Sequence, residues 1–161
     1  MVKIFCINTQ TSCTFPEGTA LMDMLPSFFP EGTSSYPIIA AKVNNVCQGL
    51  KYRAFNSRQV EFLDYTSYAG RSVYCSSLCF LFCKAVKDLF PESRIVLRRP
   101  ISKGYFCELD KGDGSVPCQA DVDAVSARMK EMVEADMPFR RHEVRTGEAI
   151  ELFQSLGYAD K

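Results

Sequence analysis

The sequence carries no excess charge of either sign, and it has a single histidine. Its 19 basic residues balance 19 acidic ones, so the formal net charge is zero. A neutral chain sets up no global field that would attract nucleic acid. The longest unbroken apolar run, residues 78–83, is far below the roughly 20 residues of a membrane span. His142 has no recognisable nucleophile or orienting group beside it, so general base catalysis is not predicted.

Secretion signals are also missing. The first eight residues resemble a strand and contain no small-residue cleavage site, and the sequence has no Asn-x-Ser/Thr acceptor. The eight cysteines are therefore expected to be free thiols, mostly buried, in a reducing environment. We expect a cytoplasmic protein without a membrane segment.

The first 65 residues follow an order of short strands and one helix. Apolar and polar residues alternate over 2–7, and a Thr-rich strand at 11–15 would close a hairpin. Thr19 is placed to cap a helix over 20–25, which Pro26 would limit. Further strands are predicted at 38–43, 46–47 and 60–65.

Three segments of this part resemble a TGS domain, the ubiquitin-like module of threonyl-tRNA synthetases and some GTPases. They are residues 15–19 (FPEGT), 40–44 (AAKVN) and 60–63 (VEFL). The resemblance implies a β-grasp fold over a first domain, residues 1–67.

The second half is predicted to be organised around one long apolar helix over 75–93, ended by Pro91. Its apolar residues recur at three- and four-residue steps, and Leu81 and Leu89 are expected to be buried. Two strands around 100–104, an amphipathic helix over 121–137, a strand over 139–144 and a last helix capped by Thr146 complete an α+β pattern. The amphipathic helix should bury a stripe of Val122, Val125, Met129, Met132 and Val133. The last helix should bury Ala149, Ile150, Phe153 and Leu156 and end at Gly157.

This half resembles the second additional domain of threonyl-tRNA synthetase, which removes wrongly attached serine. The matching stretches are residues 84–91 (KAVKDLFP), 100–106 (PISKGYF), the helix over 121–137 with its following proline, and the closing segment 148–161. The resemblance implies a second domain, residues 68–161, with the α+β fold of an editing domain.

The catalytic part of that pattern is missing. The family carries two histidines four residues apart on the long helix, where they share one face. Those positions are Ser76 and Phe80 here, and a family tyrosine is replaced by Cys107. Lys161 matches a family lysine. The resemblance therefore implies no catalytic residue and no metal, but a vestigial, apolar cleft at Ser76, Phe80, Cys107 and Lys161.

A second resemblance is to bacterial nucleoside kinases of the uridine kinase type, which join a TGS module and a histidine-free second domain to a P-loop kinase. Residues 77–80 (SLCF), 102–105 (SKGY) and 135–139 (ADMPF) carry it. It implies a non-catalytic regulatory region that packs against the kinase domain of the same polypeptide, with ATP and Mg²⁺ serving only that domain. This sequence contains no Gly-x-x-x-x-Gly-Lys-[Ser/Thr] loop to hold phosphates. The alternative is an editing region of a threonyl-tRNA synthetase, or an RNA-binding module.

Three further features are open to a functional interpretation. Cys75, Cys79 and Cys83 lie on one helical side, but eight residues of helix rise about 12 Å, too far to surround one ion. They are predicted to be core residues. Residues 110–115 loosely resemble a calcium loop without its alternating ligands, which favours a hairpin turn.

Basic residues cluster around the two predicted strands of the second half. They would form one patch if these strands adjoin the segment after Pro138, and RNA or a second copy of the chain would be the partner. The zero net charge argues against RNA, and exposed charge alone is typical of a solvated face. The patch comprises Arg94, Arg98, Arg99, Lys103, Arg140, Arg141 and Arg145.

Overall fold

The structure is a computed structural model that describes residues 1–30, 35–101, 104–140 and 142–156, with only the backbone of Arg99 and Pro100. It confirms the α+β class. A five-stranded mixed sheet and two separate two-stranded sheets are accompanied by four helices in the part of the chain described. None of those helices combines the length and apolarity needed to cross a bilayer.

The first region is a sheet with the strand order β2-β1-β7-β4-β5. Its two central strands, β1 and β7, run parallel, and the other neighbouring pairs are antiparallel. A helix between β3 and β4 and a small β3–β6 pair complete the β-grasp arrangement. The elements are β1 (Val2–Cys6), β2 (Thr11–Phe15), β3 (Thr19–Ala20), α1 (Leu21–Phe28), β4 (Ala40–Val43), β5 (Val46–Gln48), β6 (Arg53–Ala54) and β7 (Arg58–Leu63).

The core of this region lies between the sheet and α1. The alternation along β1 buries Val2, Ile4 and Cys6 as the sequence predicts, because successive strand residues face opposite sides. From α1, Leu21, Met24 and Phe28 cover this face. The Phe28 ring also contacts Phe15 and Phe62, with centroids 5.9 and 6.0 Å away.

The start and end of α1 differ from prediction. The helix continues through Pro26 to Phe28, and Thr19 belongs to β3 instead of capping it. A proline inside a helix removes one hydrogen bond. Burial of Phe28 on the core face compensates for that loss, because a buried phenylalanine contributes about 1.5–3 kcal/mol.

The long helix α2 (Tyr68–Leu89) begins at Tyr68, earlier than the predicted Cys75. Ser67 caps it, since its Oγ accepts a hydrogen bond from the Gly70 N–H at 3.0 Å. Gly70 is buried so tightly that a Cβ there would lie 1.8 Å from the Asp64 carbonyl oxygen. The predicted joint at 66–70 is therefore partly the first turn of the helix, held against the end of β7.

The second region pairs β8 (Arg94–Ile101) with β9 (Gly104–Asp110) as an antiparallel hairpin, followed by α3 (Gln119–Glu134) and α4 (Thr146–Ser155). Its buried cluster joins α2 to α3 through Ala85, Val86, Val125 and Met132. Leu81 is partly buried against this cluster, but the prediction for Leu89 was wrong, since it is 38% exposed. The helix ends before Pro91, as predicted.

Three predictions for the end of the chain were also wrong. Residues 139–140 and 142–144 are irregular where a strand was predicted. Thr146 is the first residue of α4, and the preceding Arg145 makes no side-chain cap. None of the predicted apolar residues of α4 is buried, because no neighbouring element covers them in the described structure. Val122 and Val133 of α3 are likewise exposed, and Gly157 lies outside the described residues.

All eight cysteines are free thiols, as predicted, but only Cys6 is buried. The expectation of mostly buried thiols was wrong because Cys47, Cys107 and Cys118 lie on short or edge strands and at a helix start with little cover. The structure shows two separate apolar clusters, one before and one after the start of α2. A domain boundary between residues 67 and 68 stays a prediction.

Candidate functional site

Helix α2 places Ser76 and Phe80 one turn apart on one face of the helix. Both side chains are exposed, Phe80 at 64%. The Phe80 ring contacts Phe139, with centroids 5.6 Å apart. A serine hydroxyl and an aromatic ring supply neither a base near neutral pH nor a nitrogen ligand.

An apolar cleft of about 390 Å³ lies beside this face, between α2, β9 and α3. Of the residues predicted for a vestigial cleft, Cys107 lines it, but Ser76 and Phe80 do not, because they lie on another side of α2. A smaller cleft of about 220 Å³ also includes Cys107. Lys161 lies outside the described residues. The larger cleft is lined by Phe82, Val86, Cys107, Leu109, Pro117, Asp121, Val122, Val125, Ser126 and Met129.

The helical thiols face the hairpin. Burial, and then the neighbouring thiols Cys75 and Cys107, raise the pKa of Cys79. Burial is also the first cause of the raised pKa of Cys83, followed by Cys79 and Cys107. A raised pKa keeps a thiol protonated at neutral pH, where it is a poor nucleophile and a poor metal ligand. Within the described ranges, no three Cys, His, Asp or Glu side chains are grouped to hold a metal ion.

The hairpin brings an acid to the predicted basic patch. Arg98 Nη2 lies 2.9 Å from Glu108 Oε2, because β8 and β9 pair in antiparallel register. Glu108 thereby neutralises part of the charge, and the arginine is the first cause of the lowered pKa of Glu108. Arg94, Arg140 and Arg145 are exposed. Lys103 and Arg141 lie outside the described residues, as does the side chain of Arg99.

Two other candidate groups have structural positions. His142 is exposed in an irregular segment. In the loop over 110–115, Asp110 accepts a hydrogen bond from the Gly112 N–H at 2.9 Å, and Asp113 accepts one from the Ser115 N–H at 2.8 Å. These carboxylates stabilise bends of the loop. The loop joins β9 to α3, so it is not the predicted hairpin turn.

A clamp of ion pairs between α2 and α3 was not predicted from the sequence. Asp88 Oδ2 accepts a hydrogen bond from Arg128 Nη2 at 2.9 Å, and its other oxygen pairs with Lys84. Lys84 is the first cause of the lowered pKa of Asp88, followed by Arg128. The four-residue spacing of Lys84 and Asp88 could have been noticed in the sequence. The contact with Arg128, 40 residues away, could not.

A polar cavity of about 630 Å³ lies on the first region, on the sheet face opposite α1. We call it the sheet-face cavity. It was not predicted from the sequence, although the alternation along β1 that buries Ile4 also places Lys3 and Phe5 on the opposite face. The signal in the sequence that could have indicated this cavity was Phe5, an aromatic residue on the solvent-facing side of β1. The cavity is lined by Lys3, Phe5, Ser12, Asn44, Asn45, Ser57, Arg58 and Gln59.

The known relatives described here are all threonine–tRNA ligases. No family model matches the chain. It is 30% identical over 139 residues to the threonine–tRNA ligase of Syntrophomonas wolfei, which covers 86% of this chain and 21% of that protein. The threonine–tRNA ligase of Clostridioides difficile is 25% identical over 157 residues, covering 98% of this chain and 24% of that protein.

A third relative is the threonine–tRNA ligase of Desulforamulus reducens, 29% identical over 116 residues, which cover 72% of this chain and 18% of that protein. The chain spans about a fifth of the length of these curated relatives. The resemblance to threonyl-tRNA synthetase is thus confirmed as a similarity over most of this chain, and the relatives do not carry the resemblance to nucleoside kinases. The chain is similar to a part of threonine–tRNA ligases.

Proposed function

We propose that this chain is a synthetase-like region with a non-catalytic role in binding or positioning a partner. We propose in particular that it does not hydrolyse aminoacyl-tRNA. The observation that carries the proposal is the pair Ser76 and Phe80 on the face of α2 where the resemblance calls for two histidines. Removing a mischarged amino acid requires a group that activates water or the ribose hydroxyl. Neither residue can do this at neutral pH.

The surroundings of this face support the same conclusion. Phe80 packs against Phe139, so an apolar contact occupies the position of a polar group. The neighbouring cleft is lined mainly by apolar side chains, and Asp121 within it is engaged by Lys111 at 3.1 Å. An apolar lining disfavours the charged aminoacyl end of a tRNA, because unpaired polar groups are costly to bury.

The expected result is no release of serine from Ser-tRNA carrying a threonine anticodon above the rate without protein. The measurement is a deacylation time course with radiolabelled serine, with an active editing domain as the positive control. Turnover above background would contradict the proposal, most clearly if Cys107→Ala or Ser76→Ala then abolished it.

Two kinds of longer protein are candidates to contain this region. The named relatives favour a threonyl-tRNA synthetase, in which this region would form the N-terminal part. The missing histidine positions and the segments 77–80, 102–105 and 135–139 favour a nucleoside kinase of the uridine kinase type, whose kinase domain would use ATP and Mg²⁺. Sequencing the transcript that encodes Lys161 distinguishes them, because a P-loop or the motifs of a class II synthetase would follow in the same reading frame.

A further inference from the structure

The hairpin lies along the thiol-bearing side of α2 in a definite register. Tyr105, Cys107 and Leu109 share one face of β9, because strand residues two positions apart point the same way. At one end of this row, burial and then the neighbouring Cys75 thiol raise the pKa of the Tyr105 hydroxyl. At the other end, Leu109 packs against the buried cluster that contains Val86. The strand therefore follows the helix in the same direction, from Cys75 towards Val86.

This register brings Cys107 to the level of Cys79 on the helix. One helical turn rises about 6 Å, and two residues of a strand advance about 7 Å. A step of one turn beyond Cys75 therefore stays level with the step from Tyr105 to Cys107. The smaller cleft, of about 220 Å³, agrees with this register, because Cys79 and Cys107 both line it. Cys83, one turn further along α2, is not part of that lining.

The two thiols that share this cleft differ in exposure. Cys107 is exposed, so a small solute can reach its sulfur. Cys79 is half-buried, and burial, followed by the neighbouring Cys75 and Cys107, raises its pKa. A half-buried, protonated thiol is protected from oxidants in solution, whereas an exposed one is not. An accessible thiol beside a protected one is the arrangement in which the first is oxidised and the second resolves it.

We propose that Cys79 and Cys107 form a reversible disulfide when the protein meets hydrogen peroxide. The peroxide oxidises the Cys107 thiol to a sulfenic acid: an S–O bond forms, the O–O bond breaks, and one water leaves. The Cys79 sulfur then attacks the sulfenic sulfur, so that the S–S bond forms and the S–O bond breaks. The departing hydroxide takes the Cys79 proton and leaves as a second water. The two thiols together lose two electrons, which the peroxide gains.

The disulfide would join the hairpin to α2 across the smaller cleft. Bridged cysteines need their Cα atoms within about 7 Å of each other, so the bond closes this cleft. Cys107 also lines the larger cleft of about 390 Å³, and its oxidation therefore changes the wall of both. Transient disulfides of this kind are the ones found in reducing compartments. The inference is independent of the proposed absence of hydrolysis at Ser76 and Phe80.

The test treats the full chain with hydrogen peroxide, counts thiols with Ellman's reagent in urea, and maps linked peptides by mass spectrometry. Two of the eight thiols should be lost per chain and should return with dithiothreitol. Cys107→Ser should prevent this loss. Cys79→Ala should leave Cys107 as a sulfenic acid, which dimedone traps. Cys47→Ser is the matched control, because it removes an exposed thiol of the first region and should still allow two thiols to be lost.

The inference is overturned if peroxide leaves all eight thiols free, or if it yields only intermolecular dimers on non-reducing gels. A link from Cys107 to Cys83 in place of Cys79 would also overturn it, since the register assigns Cys79. Cys107→Ala is measured beside Cys107→Ser, and circular dichroism checks that both variants fold. A folded variant that forms no disulfide supports the pair, and the loss of two thiols in either variant contradicts it.

Discussion

The two regions of the chain bury their apolar residues to different extents. The first region joins eleven described residues into one buried cluster that spans α1 and the strands β1, β4, β6 and β7. The second joins four, all on helices, and leaves most apolar residues of α4 exposed. Because hydrophobic stabilisation scales with buried apolar area, the first region should be the more stable unit. The second region should depend more on polar contacts between its elements.

The regions also differ in how they place charge. On the hairpin of the second region, Glu108 neutralises Arg98, which weakens the predicted basic patch. On the sheet of the first region, no acidic side chain among the described residues lines the sheet-face cavity beside Lys3. The positive charge of the second region is thus partly compensated, although its arginines are the charged cluster that the sequence makes most apparent.

The largest effect is expected from a truncation in the larger core. Leu21 is fully buried on α1, so Leu21→Ala should lower the free energy of unfolding by about 2–5 kcal/mol. Urea unfolding followed by circular dichroism measures it. The neighbouring Met22→Ala, at an exposed position, should change stability by less than about 0.5 kcal/mol. Equal effects of the two substitutions would mean that α1 does not cover the sheet.

A smaller effect is expected where the two regions meet. Gly70→Ala would bring a methyl group against the Asp64 carbonyl oxygen and force the start of α2 away from β7. We expect a loss of about 1–3 kcal/mol, the range for overpacking. Gly49→Ala is the matched control, since a Cβ there has no neighbour within 4 Å. A Gly70→Ala protein as stable as Gly49→Ala would show that α2 is not fixed to the sheet.

The smallest effect concerns the polar clamp of the second region. Asp88→Asn removes the charge that engages Lys84 and Arg128, and should cost about 0.5–1 kcal/mol at pH 7, as for a partly exposed ion pair. The folded-state pKa of Asp88 is lowered, so the stabilisation is complete above the unfolded pKa of about 4 and is lost as the pH falls through the folded-state value. The stability difference between wild type and variant should therefore vanish in acid. A difference that stayed constant down to pH 2 would contradict the role of the charge.

Local patterns predicted most of the elements. The two-residue alternation along β1 identifies a strand with its buried face, and the apolar steps of α2 identify a helix, because both periods are properties of the backbone. The boundaries at Pro26 and Tyr68 were missed. At the first, burial of Phe28 offsets much of the cost of the proline, and at the second, Ser67 and Gly70 hold the helix start against β7.

The site was predicted less well than the fold. The absence of histidine at Ser76 and Phe80 is visible in the sequence, and so is the apolar character expected of the nearby cleft. The residues that line that cleft are not visible in the sequence, since Cys107 belongs to the lining and Phe80 does not. Leu89 looked buried from its spacing but has no neighbour to cover it well. Helical periodicity shows which residues share a face and leaves open what packs against that face.

The sequence by itself determined the kind of each main element, their order, and the presence of serine and phenylalanine at positions 76 and 80. These follow from residue identities and from spacings of a few positions. Only the tertiary structure decided that Glu108 meets Arg98, that Arg128 reaches Asp88, and that Phe5 shares a row with Gln59. Each of these contacts joins residues on different elements. Their meeting depends on strand register and helix packing, which are set by the free energy of the whole fold and by no local segment.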